Sequence, residues 1–252
     1  MTSYLEKIVE SSIGKIPNPL KLASALMRPD QPFVMINLLS FNEIANADYD
    51  HLSGEEAYKL YVQSVQKAQA PLGSRLLWSG NVQQKMSEGI APSFHSIGLL
   101  EYASPKAFLQ FLTKGGSNAK ARAAGLQGQW LIASTTLAEG KMPDADDDDH
   151  VVLFELCGGY EHNKDAMKFL QENQESSYET AGGRTLWHGR CDHHIIGTLT
   201  PGIEDVLVTW FPDTSTFAQA TNDPKRKELL QGCRPYIAYR TNSVLDLLPE
   251  LR

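Results

Sequence analysis

The sequence predicts an α+β fold built from two βαββαβ repeats that cover each other's sheets. The pattern G-x-R-x-L-W-x-G occurs twice, at residues 73–80 and 182–189, with five of eight positions identical, including a tryptophan. The same offset of 109 residues aligns EYASPKAF (101–108) with WFPDTSTF (210–217). Because self-similarity at a fixed offset indicates a duplicated structural unit, the chain is interpreted as two copies of one unit.

Each copy contains the same series of elements. An apolar strand opens it, a helix of about 15 residues follows, and the G-x-R-x-L-W-x-G segment and another apolar segment form two strands. A second helix and a last strand complete the copy. The predicted segments, first copy then second, are strands 34–41 and 152–159, helices 55–70 and 164–178, third strands 94–102 and 204–211, and last strands 126–135 and 230–241. This order is the ferredoxin-like motif, an antiparallel sheet with both helices on one face and a bare face that needs a cover.

The composition divides the chain into four parts. Residues 1–31 form an N-terminal helical extension, which Pro17 and Pro19 break into two short helices. The first repeat covers residues 32–140 and the second covers residues 150–252. Between them, residues 141–149 form an acidic linker with five aspartates among residues 144–149. Such a run of like charges repels itself and stays solvated, and it lacks the glycine and distal glutamate of an EF-hand.

Charge and hydropathy limit the classes of function. The 252 residues carry 23 Lys and Arg against 30 Asp and Glu, and the net charge of -7 repels a nucleic acid backbone. No apolar run approaches the roughly 18 residues that span a bilayer, and the N-terminus has no signal-peptide pattern. Three cysteines without a CxxC pair argue against a disulfide framework. We therefore expect a cytoplasmic protein that binds a small molecule, with no nucleic acid or membrane partner, as a monomeric pseudo-dimer or a homo-oligomer through its outer surfaces.

Four motifs of the first copy resemble one family. They are N-L-L at Asn37–Leu39, A-Y-x-x-Y at 57–61, the G-x-R-x-L-W-x-G segment and E-Y-x-S-x-x-A-F at 101–108. This set is similar to the domain-of-unknown-function family 1330 of the dimeric α/β-barrel superfamily, and the chain resembles a tandem duplication of that domain. The second copy departs from the pattern, with Glu155 where Asn37 stands. The resemblance implies two facing sheets that enclose a pocket, in a superfamily of cofactor-free monooxygenases, cyclases, lyases, haem enzymes and ligand sensors, so the fold leaves function open.

The densest group of reactive side chains is the segment 188–194 (HGRCDHH), which the first copy lacks. Because alternate residues of a strand share a face, we expect one row of this strand to face the enclosed pocket and the row containing Trp187 to pack under the helices. Histidine titrates near neutrality, carboxylates act as bases, and arginines hold an enolate or carboxylate. The predicted catalytic residues are His188, Asp192, His194 and Glu155, and the predicted substrate-binding residues are Arg184, Arg75, Asn37 and Arg190.

Alternatives stay open for several of these residues. Asn37 and Glu155 are polar residues in apolar strands, so each is either a pocket ligand or a structural hydrogen-bond partner. Cys191, His193 and His194 are the ligands in an alternative that uses a transition metal or haem. Residues along a straight strand advance about 3.3 Å each, so distant members of the segment cannot share one ion unless the strand ends near Gly189.

The leading functional hypothesis is a small-molecule enzyme that uses no organic cofactor. General acid–base chemistry of the monooxygenase, cyclase or lyase type would take place in a pocket between the two repeats. One alternative is a metal- or haem-dependent enzyme of the same fold. Another, from a different class, is a non-catalytic protein that binds or senses a hydrophobic ligand.

Overall fold

A computed structural model describes residues 30–87, 92–114, 118–141, 149–158, 178–197, 202–231, 233 and 235–244. The predicted N-terminal helices, most of the acidic linker and most of the predicted helix 164–178 lie outside the described residues. In the part of the chain that is described, no helix is long and apolar enough to cross a membrane.

The described strands follow the predicted order, but two helices precede the last strand of each half where one was predicted. The strands are β1 (Phe33–Phe41), β2 (Arg75–Lys85), β3 (Ser96–Tyr102), β4 (Leu126–Glu139), β5 (Val151–Gly158), β6 (Arg184–Ile196), β7 (Ile203–Phe211) and β8 (Tyr236–Ser243). The helices are α1 (Gly54–Gln69), α2 (Pro105–Lys114), α3 (Ala119–Gly125), α4 (Thr214–Asn222) and α5 (Pro224–Gln231). We refer to β1–β4 with α1–α3 as the first half and to β5–β8 with α4 and α5 as the second half.

The eight strands form one closed antiparallel barrel in the order β1-β3-β2-β8-β5-β7-β6-β4. The first half contributes the order β4-β1-β3-β2 and the second contributes β8-β5-β7-β6, so the two halves have the same strand order. Pairing of β2 with β8 and of β4 with β6 closes the barrel and leaves no open sheet edge. The predicted α+β class is confirmed.

The two halves also share the turn that leads into the G-x-R-x-L-W-x-G strand. Gly73 and Gly182 both have positive φ angles, 72° and 82°, a conformation that glycine adopts without steric cost. The amide of Gly73 donates to the carbonyl of Ala70, and the amide of Gly182 donates to that of Glu179. The sequence offset of 109 residues therefore corresponds to equivalent backbone geometry.

The barrel interior is filled by one apolar cluster to which all eight strands contribute. It contains all four tryptophans of the chain, and the ring of Trp78 stacks on that of Phe154 with centroids 6.3 Å apart. The helices cover the outer face of the sheet instead. In the first half, Met35 and Leu131 of the sheet pack with Phe108 of α2, whereas Leu207 packs with Phe217 of α4 in the second. The expected pocket between the two repeats is therefore occupied by side chains of the core.

The faces of β6 around Trp187 differ from the prediction. Trp187 is 1% exposed inside the barrel, where its indole Nε1 donates to Thr136 Oγ1 over 3.1 Å, and Cys191 packs against the same interior cluster. An irregularity between Thr185 and Trp187 shifts the register with β7, so Leu186 also joins the interior. The expectation that the Trp187 row lies under the helices was wrong because the barrel interior, not the helix layer, takes the tryptophans.

Gly189 is expected to be sensitive to substitution because of this packing. A Cβ added at Gly189 would overlap the ring of Trp187, which is buried and cannot move away. Gly189→Ala should therefore lower the free energy of unfolding by about 1–3 kcal/mol in urea denaturation. The matched control is Gly128→Ala in β4, where the added Cβ meets only Ser40 Cβ at 4.0 Å. Equal stability of the two variants would contradict this packing.

Candidate functional site

A cavity lies between the outer face of the first-half sheet and helices α1–α3. Its volume is about 80 Å³, several times the roughly 10–15 Å³ that one ordered water requires. It therefore has room for a molecule of about one ring. The apolar lining residues are Met35, Leu39, Val62, Val65, Leu76, Leu100, Phe108, Phe111 and Leu131, and Gly98 adds backbone. The polar lining residues are Asn37, Tyr58, Tyr61, Gln69, Ser96, Tyr102 and Arg122.

Helix α1 supplies three of the polar groups from one face. It begins with a capping box, in which the Glu56 amide donates to Ser53 Oγ and the Ser53 amide donates to the Glu56 carboxylate. This cap fixes where the first turn starts and therefore which residues point at the sheet. Tyr58, Tyr61 and Gln69 follow at helical spacing and line the cavity.

Arg122 of α3 places a buried positive charge in the cavity wall. Its side chain is 4% exposed and its guanidinium carbon lies 5.7 Å from the centre of the Tyr61 ring. The guanidinium also donates to Gln129 Oε1 on β4. A charge in such a water-poor setting interacts more strongly with an anion than it would at the surface.

The three phenols of the cavity are hydrogen-bond donors at neutral pH. Burial raises the pKa of Tyr58 to about 12, against a smaller opposing effect of the Arg122 charge. Burial also raises the pKa of Tyr61, and raises that of Tyr102 well above the usual value. Gln69 Nε2 donates to the Tyr102 hydroxyl over 3.1 Å. Among the described residues, the buried Gln69 Oε1 has no hydrogen-bond partner, which is uncommon for a buried acceptor.

Asn37 and Gly98 form the base of the cavity on the sheet. They lie opposite each other in the β1–β3 register, and the Asn37 amide donates to the carbonyl of Met35 over 3.0 Å. A Cβ built on Gly98 would meet no atom within 4 Å. The missing side chain therefore leaves open space directly beside Asn37.

The second half has a carboxylate at the position that corresponds to Asn37. Glu155 is fully buried, and its carboxylate accepts hydrogen bonds from Arg226 over 2.8 Å, Tyr236 over 2.6 Å and Tyr178 over 3.0 Å. Burial alone would lower the pKa of Arg226. The Glu155 carboxylate and the two phenols have the larger, opposite effect, so the pKa of Arg226 is raised. Opposite Glu155 stands Leu207, which belongs to the core under the helices. The sequence left two roles open for Glu155, a pocket ligand or a structural hydrogen-bond partner. In the structure its carboxylate forms hydrogen bonds within the protein.

The other predicted catalytic residues lie outside the first-half cavity. His188 Nε2 lies 3.4 Å from the carboxylate of Asp205, on the outer face of the second half. Asp192 accepts hydrogen bonds from Thr135 and Arg190. His194 lies opposite Ile132, which belongs to the interior row. The structure thus gives these residues separate surroundings, and their catalytic role stays a prediction.

Of the predicted substrate-binding residues, Asn37 lines the cavity and the three arginines do not. Arg75 is half exposed and forms a two-pronged hydrogen-bonded pair with Glu139 as well as a pair with Glu101. Arg184 is exposed, with its guanidinium 5.9 Å from the Trp210 ring. Arg190 is exposed beside Asp192.

The residues of the metal and haem alternative do not form one coordination sphere. Strand β6 continues to Ile196, and Cys191 packs against the interior cluster while His193 lies opposite Ala133 of the outer row. Burial raises the pKa of the Cys191 thiol. Within the described ranges, no group of three His, Cys, Asp or Glu residues is placed to hold a metal ion. The first-half cavity does not fit haem, because it has room for about one ring rather than a porphyrin.

Four residues of the cavity, Arg122, Gly98, Tyr58 and Tyr61, were not predicted as site residues, although the sequence contains signals for them. Arg122 and Arg226 both stand in the pattern R-x-x-x-L-Q-G, at 122–128 and 226–232. Gly98 is an isolated glycine inside an apolar strand, a position that often marks close approach of a ligand. Tyr58 and Tyr61 belong to the A-Y-x-x-Y motif, which was noted for its resemblance and not for its chemistry.

Comparison with known proteins gives the fold. No family model matches the chain, and no curated protein sequence matches it. A proposed monooxygenase from Fusobacterium nucleatum is similar in structure, with a TM-score of 0.54 and 10% identity over 86% of this chain and 94% of that one. A mutant chlorite dismutase from Candidatus Nitrospira defluvii, in complex with cyanide, has a TM-score of 0.50 and 10% identity over 91% and 98%. Both are dimeric α/β-barrel proteins, and this chain has that fold.

A protein of unknown function from Rhodopseudomonas palustris also matches. It is 21% identical, with a TM-score of 0.43, over 50% of this chain and 96% of that one.

Glu155→Gln should be strongly destabilising, because it keeps the side-chain shape but leaves Arg226 buried without its carboxylate. Breaking a buried ion pair by removing one partner costs about 3–5 kcal/mol, to be measured by urea denaturation. The control is Arg75→Met, which breaks an exposed set of ion pairs and should cost about 0–1 kcal/mol. A loss at Glu155 no larger than that at Arg75 would contradict the buried pair.

Alkaline pH should destabilise the protein through the cavity phenols. The pKa of Tyr58 is about 12 in the folded state and near 10 in the unfolded chain, so the folded state holds this proton more tightly. The resulting stabilisation is complete below about pH 10 and is lost as the pH rises to about 12. Tyrosinate absorbance, followed with and without guanidinium, should show late-ionising tyrosines in the folded protein, and one fewer in Tyr58→Phe. Coincident titration curves in both solvents would show that the phenols are not buried.

Proposed function

We propose that this protein binds a small organic molecule of about one ring in the first-half cavity and acts on it without an organic cofactor. The observation that carries the proposal is the lining itself. Apolar side chains make up most of the wall, and the polar groups placed among them are three phenols, two amides, the hydroxyl of Ser96 and the guanidinium of Arg122. A concave, mainly apolar site with a few convergent polar groups is the usual form of a small-molecule site.

The polar groups favour chemistry that passes through an anion. A molecule that has released its proton to solvent and binds as an enolate or phenolate is stabilised by the Arg122 charge and by the phenols of Tyr58 and Tyr61. The apolar walls keep water away and strengthen that interaction. Oxygenation of an enolate or phenolate by O2, aldol-type cyclisation and elimination through a carbanion each begin with such an anion. The similar fold of the proposed monooxygenase from Fusobacterium nucleatum is the reason to test oxygenation first.

A second candidate function is ligand binding without turnover. It is favoured by the lining, which among the described residues contains no Asp, Glu, His or Cys to take the proton. The two candidates share the site and differ in whether a bound molecule is changed. Oxygen consumption and product analysis with each molecule that binds distinguish them.

The duplicated sequence suggests why the cavity lies in one half. The chain is proposed to be a tandem duplication of a ferredoxin-like unit similar to the domain-of-unknown-function family 1330. In this proposal the first copy keeps the family pattern and carries the ligand site. The second copy, with Glu155 and Leu207 at the corresponding positions, serves to close the barrel.

Gly98→Val should abolish binding while leaving the fold intact. The new side chain would enter the open space beside Asn37, and valine suits a strand. A screen of ring-sized organic molecules by ligand-observed NMR should give hits on the unmodified protein that disappear in Gly98→Val. The matched control, Gly128→Val, adds the same side chain outside the cavity and should retain every hit. Retention of the hits by Gly98→Val would place the binding site elsewhere.

A further inference from the structure

The two halves carry the same buried arginine on the same element. Arg122 and Arg226 each begin the pattern R-x-x-x-L-Q-G, on the helix that precedes the last strand of its half. Both are buried, with 4% and 7% exposure, and each guanidinium lies over a tyrosine ring, at 5.7 Å from Tyr61 and 5.6 Å from Tyr178. The contacts of Arg226 in the second half can therefore be compared with those of Arg122 in the first.

In the second half, those surroundings include a carboxylate from the chain itself. Glu155 stands at the middle of β5 and takes a hydrogen bond from Arg226, with two phenols completing the arrangement. Hydrogen bonds between guanidinium and carboxylate are among the strongest in proteins, and their planar shapes match. The space around this carboxylate is closed by Leu207 on the neighbouring strand.

In the first half, the two positions that supply and enclose the carboxylate are changed together. Asn37 stands where Glu155 stands and has a neutral amide, and Gly98 stands where Leu207 stands and has no side chain. A cavity lies there, with Arg122 and Asn37 both in its wall. The guanidinium of Arg122 donates to Gln129 of β4. One half thus fills with its own carboxylate the space that the other leaves open.

We propose that the ligand of the first-half cavity is a small apolar carboxylate, whose carboxylate group takes the place beside Arg122 that Glu155 takes beside Arg226. The proposal rests on the proposed function of the cavity as a small-molecule site. The rest of the ligand lies against Val62, Leu100, Phe108 and Phe111, which suits an aromatic or alicyclic ring.

Benzoate and benzamide test the proposal, because they have the same ring and nearly the same shape but differ in charge. In calorimetric titrations at neutral pH, benzoate should bind the unmodified protein about tenfold or more tightly than benzamide, because its hydrogen bonds to the guanidinium are charged on both sides. Arg122→Met should remove that preference. Arg75→Met, which removes an exposed arginine of the same half, should keep it.

Asn37→Glu provides a second test that needs no ligand. The new carboxylate reproduces the second-half arrangement within the chain, so the variant should have a higher melting temperature than the unmodified protein and should no longer bind benzoate. If Asn37→Glu does not fold, the preference of the unmodified protein for benzoate and its loss in Arg122→Met still decide the matter.

The contrary results separate the two proposals. The proposal of a carboxylate ligand is wrong if benzamide binds as tightly as benzoate, or if the preference for benzoate survives Arg122→Met. Either result still leaves the cavity as a small-molecule site. The proposal of a carboxylate ligand is also wrong if Asn37→Glu folds, has a lower melting temperature than the unmodified protein and still binds benzoate. Failure of both probes and of every ring-sized molecule in the screen overturns the proposed function and this inference with it.

Discussion

Closure of the eight-stranded barrel is the constraint on which the rest of the structure depends. It divides every strand into an inner and an outer row, and the inner rows meet in a single apolar cluster that holds all four tryptophans. Because protein interiors are close-packed, these side chains occupy the space inside the barrel. The cavity described here accordingly lies on an outer row, under the helices of the first half, where α1 and α3 bring phenols and a guanidinium over the sheet.

The outer faces of the two halves each contain a buried arginine. A buried arginine is unfavourable unless an anion and further hydrogen bonds compensate for its lost hydration. In the second half, Glu155 and the phenols of Tyr178 and Tyr236 provide that compensation permanently. In our proposal, a ligand in the cavity beside Arg122 adds to that compensation in the first half. The same charge therefore stabilises the fold in one half and, in our proposal, selects the ligand in the other.

Much of the fold was predictable from the sequence because the duplication repeats local rules. The glycines at 73 and 182 require the same turn, and the apolar runs of β1 and β5 alternate between two buried layers. The direction of the β6 side chains was not predictable. Both faces of that strand are buried in part, and the register shift beside Trp187 changes which residues face inward. Periodicity of two identifies the rows but not which row meets the helices.

The site was predictable in part, through comparison of the two copies. Asn37 and Glu155 stood out as polar residues in apolar strands, and their roles differ because of what lies opposite them. That difference depends on Gly98 and Leu207, which become neighbours of Asn37 and Glu155 only when the strands pair. The sequence indicates the reactive segment 188–194 rather than Arg122, because Arg122 meets Tyr61 of α1, which is distant in sequence, only in the folded protein.

The most direct test of the account is a crystal structure of the protein grown with sodium benzoate. We expect electron density for one benzoate in the first-half cavity, with its carboxylate within hydrogen-bond distance of Arg122. We expect no benzoate beside Glu155. Benzoate inside the barrel, or beside His188 and Asp205 in the second half with the first-half cavity empty, would contradict it.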